Sequence, residues 1–197
     1  KAGGADAEFR IETALLRQQP DVALARVHLV NRGKAPLQLS LPSTAAPTAG
    51  PVSQSTLWRL DQPGNAIRQL EAPPGGELDL AVVTHVSGGP VKLRNELKAL
   101  PAVDAAQVER WLEGHRQAWA KLWERDIEIE GDAEAQQVVR ACLFQLLSSL
   151  RAESDAGVPP MGLSANAFAG HVFWDMDSWM VPAMLPQHPD LARAMLE

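Results

Sequence analysis

An α+β chain of more than one domain, an antiparallel β-sandwich followed by helices, is the fold this sequence predicts. Three observations predict it. Residues 1–102 contain short segments in which apolar and polar side chains alternate, the period of half-buried strands. Ten of the fifteen prolines and nine of the fourteen glycines fall before residue 104, in clusters that separate those segments. After Pro101 the apolar spacing changes to i, i+3, i+4, which is the stripe of a helix.

The elements follow in order. Phe9, Ile11, Thr13 and Leu15 give the first strand its apolar side. Val22 to Val30 and Leu37 to Leu41 read as two further strands, and Asn31-Arg-Gly-Lys34 between them as a tight hairpin turn. Breakers cluster at Pro42 to Pro51, Pro63 to Asn65 and Pro73 to Gly76. Leu78, Leu80, Val82, Thr84 and Val86 then form the inner side of a strand whose other face carries Glu77 and Asp79. Asp104 is placed to cap a helix whose stripe is Val108, Trp111, Leu112, His115, Trp119, Leu122 and Trp123. At helical spacing these three tryptophans read as core rather than as a stacking surface. Gly131 interrupts the chain and Asp132 caps a second helix. Its broad face of Ala135, Val138, Val139, Cys142, Leu143, Leu146, Leu147 and Leu150 suits a helical barrel or bundle. The expected boundaries are a β-sandwich at 1–102, a helical linker at 103–130, and a further helical region at 131–197.

Composition narrows the function. The 197 residues carry 18 Lys and Arg against 24 Asp and Glu, a net charge of −6, with no basic cluster. Nucleic acid and anionic membrane are therefore excluded as expected partners. No apolar run reaches the ~18 residues of a membrane span. The single cysteine, Cys142, can form no internal disulfide and is expected as a small buried helix residue. His28 and His85 read as strand residues rather than ligands.

Residues 157–184 lose all periodicity. Within them, His171, Trp174, Asp175, Asp177 and Trp179 put two indoles, two carboxylates and an imidazole into nine residues. Flat apolar rings cover the C–H face of a pyranose while carboxylates accept bonds from its hydroxyls, so the composition suits a sugar pocket. It equally suits a buried loop whose aromatics fill the core and whose aspartates cap the next helix. His171, Asp175 and Asp177 lack the further ligands of a metal centre, and no metal is expected. Two residues apart, Asp175 and Asp177 do not by that spacing flank a scissile bond.

Gly170-His-Val-Phe-Trp-Asp175, Asp177-Ser-Trp-Met-Val-Pro182 and His188-Pro-Asp-Leu-Ala192 together resemble a signature of glycoside hydrolase family 65. That family holds acid trehalases, maltose, trehalose and kojibiose phosphorylases, and protein-glucosylgalactosyl-hydroxylysine glucosidases. The likeness extends upstream through His115, Trp119, Trp123, Asp126 to Asp132, Gln136, Gln137, Arg140 and Phe144, so it covers about residues 105 to 197. It implies an N-terminal β-sandwich, a helical linker and an (α/α)6 barrel, of which residues 131–197 are the first helices. It implies inverting cleavage of an α-glucoside, with Trp174 packing on the glucosyl ring and Asp175 accepting its hydroxyls. Asp177 is counted with the substrate-binding residues, and Phe173 and His171 as supports of the loop. Trp174-Asp-Met-Asp-Ser-Trp-Met180 is more similar to the hydrolases than to the phosphorylases. The general-acid glutamate is expected beyond Glu197, so no catalytic acid is named. No cofactor is implied, although inorganic phosphate would be a co-substrate in a phosphorylase. The expected partners are an α-glucoside, the remainder of the same polypeptide and, through the apolar faces, a second copy. A start at Lys1 and a stop inside a helical pattern read as a fragment.

Overall fold

The computed structural model describes residues 6–19, 21–40, 52–61, 69–87, 103–152, 157–165 and 167–197. The breaker cluster 42–51 and the proline-containing stretch 63–65 lie outside the described residues. Two compact units divide the chain, residues 1–120 and 121–197.

Among its described residues the first unit has six strands: β1 (Ala7–Leu15), β2 (Val22–Asn31), β3 (Leu37–Ser40), β4 (Val52–Arg59), β5 (Gln69–Ala72) and β6 (Glu77–Ser87). Four of them form one antiparallel sheet in the order β1-β2-β6-β4, and β3 pairs with β5 in a second. The registers Ile11–Val27, Val27–Leu80 and Leu57–Val82 align the alternating side chains of neighbouring strands on common faces. Val22, Leu24, Trp58, Ala81 and Val83 share one face, and helix α1 (Ala105–Trp123) lays Val108, Trp111 and Leu112 on it. Leu29, Leu57, Leu78 and Leu80 share the other, where they pack with Leu70 and Ala72 of β5 and Leu37 and Leu39 of β3. Burying each such leucine or valine contributes roughly 1.5–3 kcal/mol. Asp104 caps α1 as expected, accepting the Gln107 N–H at 2.7 Å. Of the three tryptophans expected in the core, Trp111 is buried and Trp119 and Trp123 are half-buried. Arg17 lies 5.1 Å over the Trp119 ring.

Two expectations for this unit are corrected. Phe9, Ile11 and Leu15 are exposed, because β1 is the sheet's edge strand and the small β3-β5 sheet packs around Leu29, Leu57, Leu78 and Leu80 instead. Residues 31–34 make no hairpin, since the strands they join lie in different sheets. The corner is held by Asn31, which is only 1% exposed. Its Nδ2 donates to the carbonyls of Ala35, Ala72 and Pro73, and its Oδ1 accepts from the Gly33 N–H.

The second unit is helical. Asp132 caps α2 (Ala133–Ser149), its side chain accepting the Ala135 N–H at 2.9 Å. Gln136 ties the preceding segment along this helix by donating to the Ile127 carbonyl and accepting the Ile129 N–H. Arg140 adds an ion pair to Asp126. The buried stripe is Leu143, Leu147 and Leu150, spaced i, i+4, i+7. This is narrower than the sequence suggests. Cys142 and Val138 sit to one side of it and are exposed, which corrects the expected burial of the thiol. A short α3 (Val181–Met184) and α4 (Pro189–Ala194) follow and bury Val181, Met184, Leu191 and Ala192.

Candidate functional site

Within the second unit, residues 157–185 first turn and then wind. The Gly162 N–H closes a turn on the Pro159 carbonyl at 2.8 Å. A second turn, Phe168–Gly170, is left-handed throughout, with φ of 58° at Phe168, 51° at Ala169 and 75° at Gly170. Its Phe168 carbonyl accepts the His171 N–H at 3.0 Å. The chain is extended to Phe173 and helical from Trp174, so the aperiodic loop expected here is helical over much of its length. The reason is a π-helical turn at Met176–Met180, closed by the Val181 N–H on the Met176 carbonyl. Such a turn breaks the 3.6-residue rhythm by which a helix is recognised.

One side of this segment faces inward. Met176 is buried, and its Sδ accepts the Val158 N–H at 3.4 Å. Gly157 lies so close that a Cβ there would stand 3.0 Å from Val172 Cγ2 and 3.2 Å from the Met176 sulfur. The aromatic side faces outward, with Phe173 42%, Trp174 63% and Trp179 64% exposed. The Trp174 and Trp179 rings are 6.4 Å apart and inclined at 49°. Phe168 meets Phe173 edge-on at 5.4 Å and 71°.

Asp175 is half-buried, and Asp177 and His171 are exposed. Among the described residues their side chains make no hydrogen bond or ion pair, and Asp175 provides no side-chain cap to the turn it precedes. Among the described residues the aromatics of this segment are exposed and Asp175 caps no helix. What it presents is an oblique pair of indoles beside carboxylates with free lone pairs, which can hold a sugar by its C–H face and its hydroxyls. Among the described residues no group of three or more His, Cys, Asp and Glu side chains is placed to hold a metal ion.

The structure brings Trp174 together with Trp179 and Phe173 together with Phe168, and among the described residues His171 and Asp177 share no hydrogen bond, ion pair or ring contact with them. Sequence reasoning counted Trp179 in the aromatic cluster but neither placed it among the substrate-binding residues nor paired it with Trp174. Its signal was the five-residue step from Trp174, wrong for an α-helix but right for a π turn. A separate hollow of about 390 Å3 in the first unit is lined by Arg10, Glu12, Arg26, His28 and Asp79. Its charges are largely paired: His28 Nδ1 lies 3.0 Å from Asp79, Arg26 pairs with Glu109, and Glu12 with Arg116.

Residues 140–197 match the family described as the glycosyl hydrolase family 65 central catalytic domain. The chain is 47% identical over 88 residues to the kojibiose hydrolase of Flavobacterium johnsoniae, a match covering 45% of this chain and 13% of that protein. It is 39% identical over 88 residues to the protein-glucosylgalactosylhydroxylysine glucosidase of Dictyostelium discoideum, covering 45% of this chain and 12% of that one. To the periplasmic acid trehalase of Saccharomyces cerevisiae it is 41% identical over 93 residues, covering 44% of this chain and 8% of that one. These matches thus span about an eighth of the relative's length or less, from 8% to 13%. In fold, the chain is similar to a putative kojibiose phosphorylase from the human microbiome, with a TM-score of 0.65 at 15% identity, over 98% of this chain and 32% of that one.

Proposed function

We propose that this chain, which carries a partial family 65 catalytic domain at residues 140–197, is part of an inverting carbohydrate-active enzyme that cleaves α-glucosidic bonds. Its 170–180 segment holds the glucosyl unit. The observation that carries this reading is the outward-facing pair of Trp174 and Trp179 beside unpartnered Asp175 and Asp177, within the residues that match the family. Trp174 covers the C–H face of the glucosyl ring, Asp175 accepts its hydroxyls, Asp177 adds a second acceptor, and Phe173 and His171 support the segment. A glutamic acid protonates the leaving oxygen while a base-activated water attacks from the opposite face. No residue of this chain is assigned as that acid. In this reading residues 131–197 begin an (α/α)6 barrel, joined through 103–130 to a β-sandwich that includes 1–102.

Hydrolysis is favoured over phosphorolysis by the kojibiose hydrolase, glucosidase and acid trehalase among the relatives at 39–47% identity. The test is to incubate the complete polypeptide with trehalose, maltose, kojibiose and nigerose, with and without phosphate, and identify the products. Glucose released at a rate independent of phosphate is the expected result. β-Glucose 1-phosphate formed only with phosphate would replace the hydrolase by a phosphorylase. Neither product from any of the four would overturn cleavage of simple α-glucosides and leave a larger glucosylated acceptor or a binding or scaffold role.

A further inference from the structure

We propose that the left-handed turn Phe168–Gly170 positions the sugar-binding segment, with the Phe168 ring stapled against Phe173 to set where Trp174 and Asp175 stand. The inference rests on the site reading above and adds residues that reading does not use.

Backbone conformation raises the question. Phe168 and Ala169 are the two non-glycine residues at positive φ among the described residues, and they are adjacent, immediately before the site. An L-residue avoids this region because its Cβ crowds the following carbonyl, so it persists there only where the surroundings over-determine it. Burial does not hold Phe168, which is 55% exposed. Two local contacts do. Its carbonyl accepts the His171 N–H at 3.0 Å, and its ring meets Phe173 edge-on at 5.4 Å.

Phe173 is also where the helical turn begins, because its carbonyl accepts the Met176 N–H at 3.1 Å. Downstream, Met176 is anchored in the interior by the Val158 N–H. Trp174 and Asp175 therefore lie between two fixed points: the Phe168–Phe173 edge contact and the buried Met176. Removing the first leaves the backbone bond to His171 and the approach of Val172 to Gly157 in place, but takes away the ring contact that fixes Phe173 directly before Trp174 and Asp175. A shift of about 1 Å in groups that orient substrate can cost up to a hundredfold in rate.

The test uses the complete enzyme and the α-glucoside it cleaves. Phe168→Ala is expected to lower kcat/KM at least about tenfold, mainly through kcat, with Tm little changed. Phe168→Tyr, which keeps the ring edge, restores kcat/KM to within about twofold of wild type. Ala169→Gly keeps full activity because glycine accepts the left-handed backbone, whereas Ala169→Val loses activity as Phe168→Ala does. A Phe168→Ala enzyme within about twofold of wild type, a Tyr variant that fails to rescue, or a loss of activity matched by a large drop in Tm would each overturn the proposal.

An arm independent of activity separates this inference from the function it rests on. Near-ultraviolet circular dichroism of the unliganded protein carries a contribution from the Trp174–Trp179 pair, identified as the part that Trp179→Phe removes. Phe168→Ala is expected to diminish that contribution, and an unchanged one would overturn the staple. If the wild-type protein cleaves no α-glucoside while Phe168→Ala still diminishes this signal, the functional reading fails and the staple stands.

Discussion

Asp175→Asn lowers kcat/KM of the complete enzyme for its α-glucoside by about 30- to 1,000-fold, on the order of 2–4 kcal/mol of barrier, and leaves Tm close to wild type. The split between the two effects follows from the side chain's surroundings. Among the described residues Asp175 has no side-chain hydrogen bond or ion pair, so the neutral amide removes nothing that the fold uses. What it removes is the charge that accepts the sugar's hydroxyls most strongly. Steady-state kinetics and a thermal melt on the same preparation check both halves. A melt lowered by many degrees together with the activity would place Asp175 in the structure rather than in the site.

Asn31→Ala costs the first unit about 3 kcal/mol or more. The side chain is 1% exposed and fills the corner where β2 leaves the four-stranded sheet for β3. It donates to Ala35 and Ala72 at 2.9 Å and to Pro73 at 3.1 Å, and accepts from Gly33 at 3.0 Å. Its own backbone is paired to Gly76 and Gly75 at 3.0 and 2.8 Å. Truncation therefore takes a donor from the carbonyls of Ala35, Ala72 and Pro73, the last of which keeps the Gly76 N–H, and the acceptor from the Gly33 N–H. The loss is largest at Ala72, whose bond is buried, at about 1–3 kcal/mol. Asn31→Asp keeps the size but loses both donors, and is expected to do no better. Denaturant unfolding of the complete protein, followed by circular dichroism, reads the loss. A cost below about 1 kcal/mol for Asn31→Ala would show that the corner does not depend on this side chain.

Asn31 also shows where the sequence stops being legible. Asn31 to Lys34 has the composition of a hairpin turn, and nothing local separates that from a crossover between sheets. The difference is made by bonds to Ala72 and Pro73, some forty residues away in the chain. Strands β2 and β6 were legible as strands from their alternation, but the second covered face of β6 was not: Ala81 and Val83, on the side of Glu77 and Asp79, are buried, while Val86 on the expected inner side is exposed. Strand β4, with Ser53, Gln54, Ser55 and Thr56 in a row, has no such pattern and is defined by its pairing with β6. β5 has four residues, too few to show a period. Both helix starts were legible because Asp104 and Asp132 cap locally. The exposure of Cys142 was not, since it depends on which side of α2 is covered.

At the site, the density of indoles and carboxylates between His171 and Trp179 was visible from composition. Trp179's partnership with Trp174 was hidden by the π turn that sets their step, and the left-handed backbone at Phe168 and Ala169 leaves no mark in residue type. Glycine at 157 had a reason that only packing reveals, the close approach of Val172 and Met176.

The most direct test of the account is a crystal structure of the complete polypeptide with an α-glucoside analogue that it cannot cleave. The account predicts the glucosyl ring against the Trp174 indole, with its hydroxyls about 2.5–3.0 Å from the Asp175 carboxylate oxygens. An analogue bound elsewhere, with Trp174 and Asp175 touching no part of the sugar, would contradict it.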